Sequence, residues 1–185
     1  MQYTFVENCT ARFNDFAAIA KATMQMAGKM LQRPVSDGEI ENILGLLKHL
    51  PIKEGVQEGL SNLHAQGFRI AALTNSPEKI VCERMERTGL VSWFERVLSA
   101  EHVKKYKPCI EVYEWASAKL GVEINKVLMV SAHPWDIAGA ANAGMQTAYI
   151  IQSKQITYPL APEPTYSAKH LPDLSAQLAT VAGTA

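Results

Sequence analysis

The chain has 185 residues, 48% hydrophobic and 19% charged, and its eighteen basic residues balance eighteen acidic ones. That composition belongs to one packed globular domain, or to one domain with a small appendage, and it excludes intrinsic disorder. A net charge of zero supplies no global field for a nucleic acid, and apolar runs such as Val127-Leu128-Met129-Val130 are far too short to span a bilayer.

The first ten residues include Glu7 and Asn8 and lack the charged-then-apolar order of a signal peptide. Cys9, Cys82 and Cys109 are odd in number, widely spaced and in no metal-ligand pattern. They read as reduced thiols of a cytoplasmic protein.

In chain order, the N-terminal third reads as helical. Phe13, Phe16, Ile19 and Ala20 fall on one face at helical spacing. Leu31 to Val35, with Pro34, breaks that helix. Ser36 followed by Glu39 has the form of a capping box. An apolar stripe of Ile40, Ile43, Leu44, Leu47 and Leu50 follows and ends at Pro51.

After Pro51 the pattern alternates. Val56, Leu60 and Leu63 mark a helix that stops at Gly67. Phe68 to Leu73 reads as a buried strand. Ser76-Pro77 reads as an N-cap with proline at the first helical position, opening a helix that runs to about Thr88. Arg96 to Ser99 is a strand, Pro108 to Leu120 a helix ending at Gly121, and Lys126 to Ser131 a strand. Asp136 to Ala143 is a small-residue helix and Gln146 to Ile151 a fourth strand. Residues 153–170, with Pro159, Pro162 and Pro164, read as loop, and Leu174, Leu178 and Val181 mark a closing helix. Alternating strands and helices predict an α/β fold, a parallel sheet with helices on both faces.

Ligands of such sheets bind beyond the carboxyl ends of the strands. Three polar clusters fall there: Thr74-Asn75-Ser76, Lys107 in Tyr106-Lys107-Pro108, and the run from Ser131 through His133 to Asp136. Each residue has a plain structural reading as well. Thr74 suits a strand end, Ser76 and Asp136 suit helix caps, Lys107 could be one more solvated lysine beside Lys104 and Lys105, and Phe16 and Tyr113 could be core. A hydroxyl, a lysine and an aspartate at successive strand ends, however, form a constellation.

That constellation resembles the last three motifs of the haloacid dehalogenase superfamily, and most closely its type II 2-haloacid dehalogenases. Leu73-Thr74-Asn75-Ser76-Pro77, Tyr106-Lys107-Pro108 with Val112-Tyr113, and Trp135-Asp136 with Gly139-Ala140 carry the likeness. Tyr3-Thr4-Phe5 and Phe13-Asn14-Asp15-Phe16 resemble the family's helical cap. The resemblance implies a Rossmannoid core over residues 52–185 and a partial cap over residues 1–51. It also implies covalent catalysis in two steps. An aspartate carboxylate displaces halide from C2 of a 2-haloacid, and water then hydrolyses the ester to a 2-hydroxy acid. It implies no cofactor and no metal, a small-molecule haloacid as partner with no nucleic acid and no membrane, and a homodimer. Thr74 would bind the substrate carboxylate and Asn75 the halide. Lys107 would keep the nucleophile ionised, with Ser131 and Asp136 steadying that lysine and the water. Phe16, Tyr113 and Trp135 would shape the pocket.

The family's nucleophile follows an opening apolar strand in an Asp-x-x-Gly-Thr motif. Of the four aspartates here, Asp15, Asp37, Asp136 and Asp173, none follows such a strand. The expectation is therefore a chain that lacks the first core strand and its aspartate, and that is inactive without them. A magnesium-dependent phosphatase and a non-catalytic binding protein on the same fold stay open. The phosphatases place an aspartate four residues before the acid matching Asp136. Ala132 stands there in this chain, so no tight Mg²⁺ site is expected. Many type II dehalogenases have asparagine where this chain has His133. Histidine exchanges a proton near neutral pH, so His133 is the expected general base for ester hydrolysis.

Overall fold

A computed structural model describes residues 2–153 and 155–182. Three helices open the chain: α1 (Gln2–Thr10), α2 (Phe16–Met30) and α3 (Asp37–Leu47). The capping box forms in full, with the Ser36 hydroxyl accepting from the Glu39 N–H and the Glu39 carboxylate accepting from the Ser36 N–H at 2.8 Å. Asp15 caps α2 by accepting from the Ala18 N–H at 2.8 Å. That cap breaks the helical face expected to run through Phe13, which lies before it and stacks instead on Tyr106, ring centroids 5.3 Å apart. Of the expected apolar stripe, only Ile40 is buried; Ile43 and Leu47 of α3 are exposed, as is Leu50 beyond its end.

The rest alternates: α4 (Val56–Ala65), β1 (Ala71–Thr74), α5 (Glu78–Arg87), β2 (Arg96–Ser99), α6 (Ile110–Leu120), β3 (Leu128–Ser131), α7 (Pro134–Asn142), β4 (Gln146–Ile150), β5 (Tyr166–Ala168) and α8 (Leu171–Ala182). All pairings are parallel; α5 crosses over between β1 and β2 and α7 between β3 and β4, while no helix lies between β4 and β5 among the described residues. Gly121 ends α6 in the left-handed region, where a side chain would be strained.

Three local expectations are corrected. The proline-rich segment contains a strand, β5, in register with β4 through Ala148 and Tyr166; its prolines lie before the paired residues, where no ladder N–H is needed. Ser76 does not cap α5. Its N–H donates to the Thr74 hydroxyl at 3.0 Å and its carbonyl accepts from Ser99 Oγ at 2.9 Å, so the turn after β1 is closed by side chains and the helix begins one residue later, after Pro77. Asp136 does not cap α7 either. His133 holds the N-cap position, and the Asp136 carboxylate turns to side chains.

The sheet comes in two pieces, β1–β2 and β3–β4–β5. Among the described residues β1 hydrogen-bonds only to β2, and β3 only to β4, so one edge of each borders a slot. The slot leaves its walls half-covered: no residue of β1 is fully buried, and Val130 of β3 is 37% exposed. Helices on both faces hold the pieces together. Leu63 of α4 and Leu174 and Leu178 of α8 form one cluster with Ala148 and Ala168. On the other face Tyr113, Ala140 and Met145 gather Leu73 of β1 and Met129 of β3.

Candidate active site

The strand ends on either side of the slot are joined by one ammonium group. Lys107, 6% exposed, donates from Nζ to the Leu73 carbonyl of β1 at 3.0 Å and to Asp136 Oδ2 at 2.8 Å. Asp136 stands in the first turn of α7, where a carboxylate favours the positive end of the helix dipole. Ser131, the last residue of β3, donates to the same Oδ2 at 3.0 Å. Tyr113 of α6 donates to Oδ1 at 2.7 Å. Both carboxylate oxygens are thus held, as a buried charge requires. An ammonium has three N–H groups, and the third on Lys107 has no partner among the described residues.

The lysine is fixed by its main chain as well. Asn75 accepts from the Lys107 N–H at 2.8 Å and donates to the Lys107 carbonyl at 3.2 Å. One residue earlier, Asn8 of α1 does the same for Tyr106, accepting its N–H at 2.9 Å and donating to its carbonyl at 2.7 Å. The Tyr106 hydroxyl donates to the Asn14 carbonyl at 2.6 Å. The opening helices are therefore tied to the residue next to the lysine. Nothing near Asn8 in the sequence marks this role, because its partner lies 98 residues away.

Burial, then the neighbouring Asp136 charge, pushes the Tyr113 phenol well above its ordinary range, so it remains a donor to that carboxylate. Tyr106 is raised likewise, by burial first and then by Asp15, Glu7 and Glu101. α7 approaches Tyr113 so closely that a Cβ at Gly139 would fall 2.7 Å from the phenol oxygen and 2.5 Å from Pro108 Cβ.

Five of the nine residues expected at the site are linked by these side-chain bonds: Asn75, Lys107, Tyr113, Ser131 and Asp136. Thr74 precedes Asn75 in the chain, and its hydroxyl accepts from the Ser76 N–H instead. His133 is exposed at their edge, its N–H donating to Ser131 Oγ at 3.2 Å and its ring edge-on to Trp135 at 5.2 Å. Trp135 in turn meets Phe5 of α1 at 6.4 Å. Phe16 is half-buried at the start of α2, and no hydrogen bond or ring contact ties it to the cluster. The other aspartates are elsewhere. Asp15 caps α2, Asp37 pairs with Lys21 at 2.8 Å and Asp173 accepts from the His170 N–H.

Residues 16–150 match the family described as haloacid dehalogenase-like hydrolase. The chain is 26% identical over 150 residues to (S)-2-haloacid dehalogenase 4A of Burkholderia cepacia, covering 81% of this chain and 65% of that one. It is 26% identical over 187 residues to (S)-2-haloacid dehalogenase of Pseudomonas sp. (strain YL), covering 100% of this chain and 80% of the relative. Its fold is shared with the L-2-haloacid dehalogenase from Xanthobacter autotrophicus solved with chloropropionic acid covalently bound, at TM-score 0.88 and 18% identity, over 96% of this chain and 81% of that one.

Proposed function

The chain belongs to the haloacid dehalogenase-like hydrolase family, and from that premise we propose that it is the larger part of a 2-haloacid dehalogenase, whose nucleophilic aspartate rides on a strand filling the slot between β1 and β3. The observation that carries this reading is the third N–H of Lys107, which has no partner among the described residues and lies at the carboxyl end of that slot. A carboxylate arriving there would meet a buried ammonium, which favours its ionised form.

In the first step a carboxylate oxygen attacks C2 of the haloacid and the carbon–halogen bond breaks, halide leaving with the electron pair. In the second, water adds to the carbonyl of the resulting ester. His133 takes the water's proton and returns it to the departing alkoxide as the C–O bond to the nucleophile's carbonyl breaks, releasing the 2-hydroxy acid. Thr74 receives the substrate carboxylate, and the spare N–H of the Asn75 amide faces the leaving halide. Ser131 and Asp136 hold Lys107 in place, and Tyr113 acts through its grip on Asp136. Phe16 and Trp135 supply apolar wall. The opening helices act as a cap (1–51) over the core (52–185). A second copy would cover the exposed apolar side chains of α2 and α3, among them Met30 and Leu46.

A magnesium-dependent phosphatase is disfavoured by the donor set. Asp136, the carboxylate beside the slot among the described residues, already serves an ammonium and two hydroxyls, and Ala132 offers no side-chain oxygen. The test joins an apolar strand ending in Asp, then Gly-Thr, ahead of α1. Release of halide from (S)-2-chloropropionate, abolished when the added Asp is changed to Asn, is the expected result. A folded fusion that releases none, or one that needs millimolar Mg²⁺ to hydrolyse a phosphate ester, refutes the proposal.

A further inference from the structure

A cavity opens beside the Lys107–Asp136 cluster. It is a groove of about 890 Å³ between α1, the start of α6, the outer face of α7 and the segment after β4. Phe5, Pro108, Ile110, Trp135, Ile156 and Tyr158 form most of its wall. Asn142, Thr157, Tyr158 and Trp135 carry the polar groups of its lining residues, and no charged side chain lines it among the described residues. One of its wall residues, Ile156, is 78% exposed, more apolar surface than a solvated loop needs. Two peptide links tie it to the catalytic cluster, since Pro108 follows Lys107 and Trp135 precedes Asp136.

We infer that this groove receives the alkyl tail of a medium-chain 2-substituted acid, whose carboxylate end lies at the strand ends. The inference rests on the haloacid reading for the head group and adds the class of tail. A three-carbon haloacid would leave the groove empty, whereas cavities of this size and apolar lining hold ligands of ten or more heavy atoms. A neutral wall rejects a charged tail, because a charge there would lose water without gaining a partner. Trp135 and Phe5 offer apolar rings to methylenes, and a bound chain would cover Ile156, burying apolar surface that solvent now covers.

The test uses the 185-residue chain and unreactive straight-chain acids from acetate to dodecanoate, with binding followed by calorimetry. Affinity rises by about fourfold for each methylene that enters the groove, and levels off once the chain outruns it. Ala138→Trp, on the groove face of α7, fills the space. In that variant, checked for an unchanged circular dichroism spectrum and melting temperature, affinity no longer depends on chain length. Asn142→Leu, which keeps the groove open, preserves the dependence. A native chain whose affinity is flat with length overturns the inference, and so does a length dependence that survives Ala138→Trp. Concentration-dependent self-association that Ala138→Trp abolishes, without fatty-acid binding, overturns it too and assigns the groove to a second copy. The haloacid reading fails separately, on (S)-2-chloropropionate, which is too short to use the groove.

Discussion

Asn75 holds Lys107 by both of its main-chain polar groups, at 2.8 Å through the N–H and 3.2 Å through the carbonyl. The lysine's ammonium is therefore placed from two ends, by this clamp behind it and by Asp136 and Leu73 ahead of it. Asn75→Ala leaves two part-buried backbone groups unpartnered, at about 1–3 kcal/mol together. Urea unfolding should show that loss. Asn75→Asp, which can accept but not donate, should recover part of it. Equal stability of native and Asn75→Ala chains would mean that the clamp positions nothing.

Lys107 and Asp136 are buried together, with side chains 8% and 5% exposed. Breaking such a pair leaves one charge uncompensated, which costs about 3–5 kcal/mol, whereas replacing both with apolar groups of like volume costs far less. Lys107→Met and Asp136→Leu should each destabilise strongly, and the double variant should be more stable than either single one. Additive losses in denaturant titration would show that the two charges do not depend on each other.

Much of this was legible in sequence because it is local. The Ser36–Glu39 box, Gly121 at the end of α6 and the strand Arg96–Ser99 rest on signals within a few residues, and all three form. Ser76 and Asp136 carry an equally local cap signal, but each found a better partner. Ser76 is taken into a turn by Thr74 and Ser99, and Asp136 by Lys107, 29 residues away. The Tyr113–Asp136 and Asn8–Tyr106 bonds join elements whose adjacency the chain does not announce. β5 was hidden because the prolines that precede it mask a three-residue strand whose pairing depends wholly on β4.

Alkaline pH offers a third test. Tyr106 and Tyr113 both hold their protons more tightly folded than unfolded. The unfolded chain ionises its tyrosines near pH 10, so it gains stabilisation there that the folded chain cannot match. Stability contributed by these phenols is fully present below about pH 10 and falls as pH rises beyond it. Melting temperature should be flat from pH 8 to 9 and drop from pH 10 to 11, and Tyr113→Phe should flatten part of that drop. Absorbance at 295 nm should show two tyrosines that ionise only on unfolding. A titration in which every tyrosine ionises while the fold is intact would contradict the arrangement.

His133 is the residue whose replacement should divide the reaction in two. It stands at the N-cap position of α7, two residues past Ser131, exposed, with its ring edge-on to Trp135. Its backbone N–H is engaged by Ser131, but no side chain or carbonyl takes either ring nitrogen among the described residues, so the imidazole is open to a water at the strand ends. An exposed ring at the site's edge suits a base for the second step, in which water must reach an ester already buried against Lys107. In the strand-complemented protein, His133→Ala should release one equivalent of halide per site and then stall, with the aspartyl ester accumulating and its added mass visible in the intact protein. His133→Asn should behave in the same way if proton removal is what the histidine provides, and should turn over normally if hydrogen bonding suffices. Steady turnover in His133→Ala, with no trapped ester, would assign the water's activation to another group.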